Sequence, residues 1–255
     1  MISKEGIFSN ALNMDCMHYM TQLDDKAFDL AIVDPPYGIN APNMHMGGFG
    51  KYESTATKLK RKRFDKGGGH YANSALVTMN TDWDMYPPTR EYFKQLFRVS
   101  KNQIIFGGNY FGLPPTRCFV CWDKLQALKN FSQVEYAWTS FDYPSKIVRM
   151  ASRGGRNDQE KIHPTQKPIP LYQWLMTEFC KPGDSILDTH LGSGSSRIAA
   201  ASLGFDFMGI EIDKQYFDAA EKRFENYMKE AEFEKLQFAA MENSKPTLNL
   251  EEFEQ

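Results

Sequence analysis

Phe28-Asp29-Leu30-Ala31-Ile32-Val33 runs directly into Asp34-Pro35-Pro36-Tyr37. The apolar run reads as a strand buried on both faces, the pattern of a parallel sheet covered by helices. Two prolines cannot continue a hydrogen-bonded ladder, so the strand stops there. Asp34 is therefore expected at the carboxyl end of a central strand, where open α/β sheets gather their ligands. The Asp34 carboxylate and the Pro35 carbonyl can each accept a hydrogen bond from an exocyclic amine. Tyr37 offers a face on which a planar base can stack. Taken alone, the tetrapeptide reads equally well as a Pro-Pro turn with Tyr37 as packing.

A second constellation lies far downstream. Ser185-Ile186-Leu187-Asp188 reads as a strand and Thr189-His190-Leu191-Gly192-Ser193-Gly194-Ser195-Ser196 as a Gly-rich turn. A helix over Arg197 to Leu203 and a strand over Asp206 to Ile212 follow, with Glu211 and Asp213 at the end. Glycines let backbone N–H groups approach a ligand, and an acid at the end of the next strand can take both hydroxyls of a ribose. No lysine follows Gly194, so this is not a P-loop, and no third glycine completes a dinucleotide fingerprint. A ligand with a ribose but no pyrophosphate fits, and S-adenosylmethionine is such a ligand.

Between these constellations, strands are expected at Asn102 to Phe106, Cys118 to Trp122, Val134 to Thr139 and Lys146 to Arg149. Helices are expected at Thr89 to Val99 and around Leu171, Leu175 and Phe179, where apolar residues recur at helical spacing. Ile7 to Leu12 reads as a first strand, followed by a short helix from Cys16 that Asp15 can cap. Gln215 to Lys229 is a last helix, with a frayed polar tail beyond it. The segment from about 124 to 160 reads as a small, irregular recognition segment. From Gly38 to Trp83 the periodicity vanishes. That stretch carries Lys58, Lys60, Arg61, Lys62 and Arg63, the best local candidates for phosphate contacts.

The chain of 255 residues, 42% hydrophobic, suits one large α/β domain. A formal charge of -2 gives no global positive field, so a nucleic-acid partner needs a local basic patch. No apolar run has membrane-spanning length and no signal-peptide pattern opens the chain. Four scattered cysteines suit reduced thiols and a cytoplasmic setting. Cys118 and Cys121 are spaced C-x-x-C, but no second pair accompanies them, and no metal is expected.

In their order, Asp34-Pro35-Pro36-Tyr37, then His163-Pro164-Thr165-Gln166-Lys167-Pro168, then Asp188 to Gly194 resemble the DNA amino-methyltransferases of the adenine-N6/cytosine-N4 family, in their permuted β-group arrangement. His190-Leu191 departs from the family's usual Phe or Cys before Gly-Ser-Gly, and the long 38–83 stretch has no counterpart to copy. The resemblance implies a class I, Rossmann-like methyltransferase fold with a seven-stranded mixed sheet. It implies that Asp34, Pro35, Pro36 and Tyr37 hold the target amine. Asp15, Cys16, Asp34, His163, Thr165, Lys167, Asp188, Gly192, Ser193, Gly194, Glu211 and Ile212 would then surround the cofactor, S-adenosylmethionine. Thr165 and Lys167 would lie near its methionine end. The implied partner is double-stranded DNA, with a homodimer and a cognate restriction nuclease as further partners. Adenine-N6 is expected over cytosine-N4. RNA methylation and a catalytically silent nucleic-acid-binding module are the competing readings.

Overall fold

The computed structural model describes residues 8–39, 84–126, 132–152 and 161–243. The basic residues Lys58, Lys60, Arg61, Lys62 and Arg63 lie outside these described residues.

The strands are β1 (Ser9–Asn13), β2 (Phe28–Val33), β3 (Ser100–Phe106), β4 (Phe119–Asp123), β5 (Val134–Thr139), β6 (Lys146–Arg149), β7 (Ser185–Asp188) and β8 (Asp206–Glu211). The helices are α1 (Cys16–Thr21), α2 (Arg90–Val99), α3 (Ile169–Phe179), α4 (Ser195–Leu203) and α5 (Lys214–Asn243). One mixed sheet takes the order β1-β8-β7-β2-β3-β5-β4-β6. β1, β8, β7, β2 and β3 pair in parallel, β5 runs antiparallel to both β3 and β4, and β6 pairs in parallel with β4. This is the Rossmann-like architecture expected from the sequence, with eight strands rather than seven among the described residues.

β2 shows why this stretch commits the chain to a covered sheet. Leu30 and Ile32 enter one core layer, beside Leu171, Leu175 and Met176 of α3 and Ile198 of α4. Ala31 and Val33 enter the other, beside Met20 of α1 and Tyr92, Leu96 and Val99 of α2. Successive strand residues point to opposite faces, so an uninterrupted apolar run needs a layer on each side.

The segment from about 124 to 160 supplies β5 and β6 where strands are expected, and β5 is interior to the sheet. Its short strand-like pieces are satisfied by pairing with β3 and β4, partners that local sequence does not name. The last helix extends to Asn243 instead of fraying after Lys229. Its first turns are anchored by buried Tyr216 and Ala220 with Phe224 and Tyr227 alongside, and the extension Glu230–Asn243 is rich in good helix formers.

Candidate active site

The strand order reverses between β7 and β2. From β7 the chain passes through α4 to β8 on one side, and from β2 it reaches α2 and β3 on the other. Ala31 pairs with Leu187, so Asp34 and Asp188 end neighbouring strands at this reversal. A crevice at such a switch point is where open α/β sheets bind ligands.

On the β7 side, Gly192 and Gly194 both have left-handed backbone, φ +52° and +73°, which a side chain would strain. Glu211, at the end of β8, braces the turn. Its Oε2 accepts the Gly192 N–H at 2.8 Å and its Oε1 the Asp213 N–H at 2.9 Å. Asp188 is buried, accepting the His190 N–H at 3.0 Å and the Ser196 hydroxyl at 2.6 Å. Burial pushes its carboxyl up to about 7, against those two hydrogen bonds. Ser193 is buried in the turn, and its carbonyl accepts from Arg223 at 2.7 Å.

Asp15 caps α1, accepting the Met17 and His18 N–H groups at 2.7 and 3.1 Å. It lies beside Glu211, because Asn13 pairs with Glu211 and donates from Nδ2 to the Glu211 carbonyl at 2.8 Å. Burial, then the Asp15 charge, raises the Cys16 thiol to about 12, which keeps it protonated. Ile212 follows Glu211 and is exposed.

The His163–Pro168 stretch folds over this turn. A Cβ on Gly192 would sit 3.8 Å from the His163 ring. That ring packs on Tyr216, centroids 4.4 Å apart, and its Nδ1 lies 3.2 Å from the Thr165 hydroxyl. Burial, aided by the charges of Lys161 and Lys167, lowers His163 to about 3. Burial likewise lowers His190 to about 4. Both rings are neutral at physiological pH.

On the β2 side, both oxygens of the Asp34 carboxylate are hydrogen-bonded. Oδ1 accepts the Tyr37 hydroxyl at 2.6 Å and Oδ2 accepts the Lys167 ammonium. The Lys167 side chain is only 4% exposed and lies over the Phe106 ring, 4.5 Å from its centroid. It also stands 3.3 Å from Glu135 Oε2, and Glu135 Oε1 pairs with buried Lys124. Four charges of alternating sign thus run through the pocket. Burial alone would raise Glu135, but Lys167 and Lys124 together hold it below the usual carboxylate value. Burial would lower Lys167, but Asp34 and Glu135 hold it above an ordinary lysine.

Pro35 is buried. The Tyr37 ring stacks on Tyr110, centroids 4.9 Å apart and planes 14° from parallel. The backbone after the tetrapeptide is pinned by buried Asp84, whose Oδ1 accepts the Tyr37 and Gly38 N–H groups at 2.6 and 2.9 Å.

The structure therefore brings Asp34, Tyr37, Lys167, His163, Thr165, Asp188, Gly192, Ser193, Gly194 and Glu211 to one crevice, with Asp15 and Cys16 at its rim. Lys167 touches the tetrapeptide carboxylate. Sequence reading missed Asp84, Tyr110, Lys124 and Glu135. Glu135 had a weak signal, an acid near the start of an expected strand; Asp84, beyond the aperiodic stretch, had none.

Fold and crevice together define a Rossmann-like protein of the class I methyltransferase type. Similarity to known proteins narrows this. The family described as "DNA methylase" matches residues 121–222. The type II methyltransferase M2.DpnII of Streptococcus pneumoniae is 22% identical over 249 residues, covering 84% of this chain and 88% of that protein. The type II methyltransferase M.HinfI of Haemophilus influenzae is 24% identical over 276 residues, covering 86% and 70%. Among solved structures, the cytosine-N4-specific PvuII DNA methyltransferase superposes with a TM-score of 0.51 at 13% identity, covering 88% of this chain and 92% of that one. The chain is similar to these DNA methyltransferases, and over residues 121–222 to the DNA methylase family.

Proposed function

We propose that this protein transfers a methyl group from S-adenosylmethionine to the N6 amine of a flipped adenine in duplex DNA. The observation that carries this reading is the pairing of β2 with β7, which sets Asp34 beside the Gly-rich turn where the strand order reverses.

The donor set suits the cofactor. Carboxylates, not basic side chains, end the strands: Asp188, Glu211 and, at the rim, Asp15. Glu211 spends one lone pair of each oxygen on a backbone N–H and keeps others for ribose hydroxyls. Neutral His163 and His190 add no positive charge facing a sulfonium. Asp15, Cys16, Glu211 and Ile212 would hold the adenosine half. Asp188, Gly192, Ser193 and Gly194 would form the turn against it, with His163 and Thr165 above. When bound, the cofactor supplies a methyl on a sulfonium, whose carbon–sulfur bond breaks as the new carbon–nitrogen bond forms.

The chain's own residues prepare the amine. Its lone pair is delocalised into the ring, so it is a poor nucleophile. Hydrogen bonds from its two N–H groups to Asp34 and the Pro35 carbonyl draw the nitrogen toward a tetrahedral form. Asp34 then stabilises the positive charge that develops on nitrogen and accepts the departing proton. A base must leave the stack to reach Asp34. Tyr110 now covers one face of Tyr37, so a base stacking there displaces it. Adenine is preferred over cytosine because, in the family this chain resembles, Asp at the first tetrapeptide position goes more often with adenine-N6 and Ser with cytosine-N4. A homodimer and a cognate restriction nuclease belong to the same reading.

The test is incubation with labelled S-adenosylmethionine and unmethylated duplex DNA, followed by digestion to nucleosides. Labelled N6-methyladenine is the expected product. N4-methylcytosine would overturn the choice of base, and label in RNA alone would overturn the substrate. Asp34→Ala is expected to lower transfer by about 10²–10³-fold or more while leaving cofactor affinity intact. Loss of both together would make Asp34 a structural residue.

A further inference from the structure

In this structure each Asp34 oxygen already accepts one side-chain hydrogen bond, Oδ1 from Tyr37 and Oδ2 from Lys167. Each oxygen keeps a second lone pair, but an amine that develops positive charge during transfer is repelled by an ammonium on the same carboxylate, so the cation is the donor that has to move. Tyr37 is held in place: its backbone N–H is bound by Asp84, and Gly107 is packed against its ring. Lys167 has somewhere to go. Its Nζ is 3.3 Å from Glu135 Oε2, and that buried oxygen accepts no hydrogen bond. A buried carboxylate oxygen left without a hydrogen bond is costly, and native structures rarely tolerate one without a use. The ammonium carries three donors on a flexible stem, so a small rotation suffices to reach it.

The geometry points to Glu135 as a positioning residue: it receives Lys167 as the target amine takes Lys167's place on Asp34. The inference rests on the proposed function. Charge explains why a carboxylate is needed. Asp34, Lys167, Glu135 and Lys124 sum to zero whichever carboxylate Lys167 favours, so the move leaves the pocket's net charge unchanged. Without Glu135 the remaining three sum to +1, and Lys167 has only Asp34 to pair with. The amine then competes with a buried ammonium that cannot leave. Glu135 touches neither base nor cofactor in this scheme. It acts through Lys167.

The experiment is Glu135→Gln in the full chain, assayed with labelled S-adenosylmethionine and unmethylated duplex DNA across pH. Cofactor affinity is expected to be unchanged, which also reports that the variant folds. The kcat/KM for DNA is expected to fall by about one to two orders of magnitude. Its acid limb is expected to move to lower pH, because the Lys167 charge bears on Asp34 alone. In a Lys167→Met background the same substitution is expected to cost nothing further, since there is no ammonium to receive. Wild-type kcat/KM in Glu135→Gln, or an equal loss in both backgrounds with an unmoved acid limb, would overturn the inference while leaving the methyltransferase reading in place. If the Gln variant does not fold, Glu135→Asp carries the test: it keeps the charge balance at shorter reach, so kcat/KM falls while the acid limb stays. An acid limb that moves in Glu135→Asp would also overturn it. No label from the wild-type protein in any nucleic acid would overturn the proposed function and this inference with it.

Discussion

Asp188 and His163 border the same Gly-rich turn and answer to pH in opposite senses. Burial holds Asp188 at about 7 in the fold against 3.8 for an ordinary aspartate. Between those values the folded state binds the proton that the unfolded chain releases, so stability is lost as pH rises from 3.8 through 7. His163 is held at about 3 against 6.5. There the unfolded chain takes the proton first, so stability is fully present above 6.5 and is lost as pH falls toward 3. Asp188→Asn keeps the shape and removes only the first dependence. Its melting temperature in the free protein is expected to exceed wild type by more near about pH 8 than near about pH 4. Melting curves at the two pH values check this, and a difference independent of pH would show that Asp188 is not titrating in the fold. The same residue shows what the crevice trades: a carboxylate costly to bury is kept where it shapes the turn.

At the scale of elements, the turn after β3 decides whether Tyr37 can reach Asp34. Gly107 has φ +66°, and a Cβ there would fall 2.2 Å from Tyr37 Cε1. Gly107→Ala is therefore expected to push the ring away and break its 2.6 Å bond to Asp34. Transfer should fall at least tenfold, about the worth of a misplaced hydrogen bond to a charged group, with cofactor affinity retained. Equal activity in a cofactor-binding variant would show that Tyr37 placement is not limiting. Elements were legible in the sequence wherever the signal is local. β2, β5, β6 and β7 fall at the boundaries expected from their apolar runs and breakers, and Thr89 and Asp15 cap their helices as short polar residues do. Three motifs in order located both halves of the crevice. Pairing partners were not legible. Nothing within β5 says that it reverses direction between β3 and β4, so nothing placed Glu135 against Lys167, 32 residues later in the chain. Asp84 was hidden for the same reason, being 47 residues from the N–H it binds. Both are carboxylates whose roles exist only after the sheet has formed.

For the whole molecule, the question is how a chain of net charge -2 holds a polyanion. Gly38 and Asp84 are joined by a 2.9 Å hydrogen bond next to the Asp34–Tyr37 tetrapeptide. The sequence between these two residues carries Lys58, Lys60, Arg61, Lys62 and Arg63. We propose that these residues supply phosphate contacts. Neutralising Lys60, Arg61, Lys62 and Arg63 together should weaken binding to duplex DNA whatever its sequence. It should also flatten the plot of log affinity against log salt by roughly one unit of slope for each phosphate that the protein no longer neutralises. Cofactor affinity should not change, because the Gly-rich turn and Glu211 are built from β7 and β8. Titration of the variant and the wild type at several salt concentrations reads the slope directly. An unchanged slope would make the cluster an ordinary solvated surface and move the search for phosphate-binding cations to Arg117, Arg149 and Lys146, which already lie in ion pairs with Asp142, Asp123 and Glu178. A cation already held by a carboxylate must be released before it can hold a phosphate, so those three would bind DNA at the cost of their ion pairs.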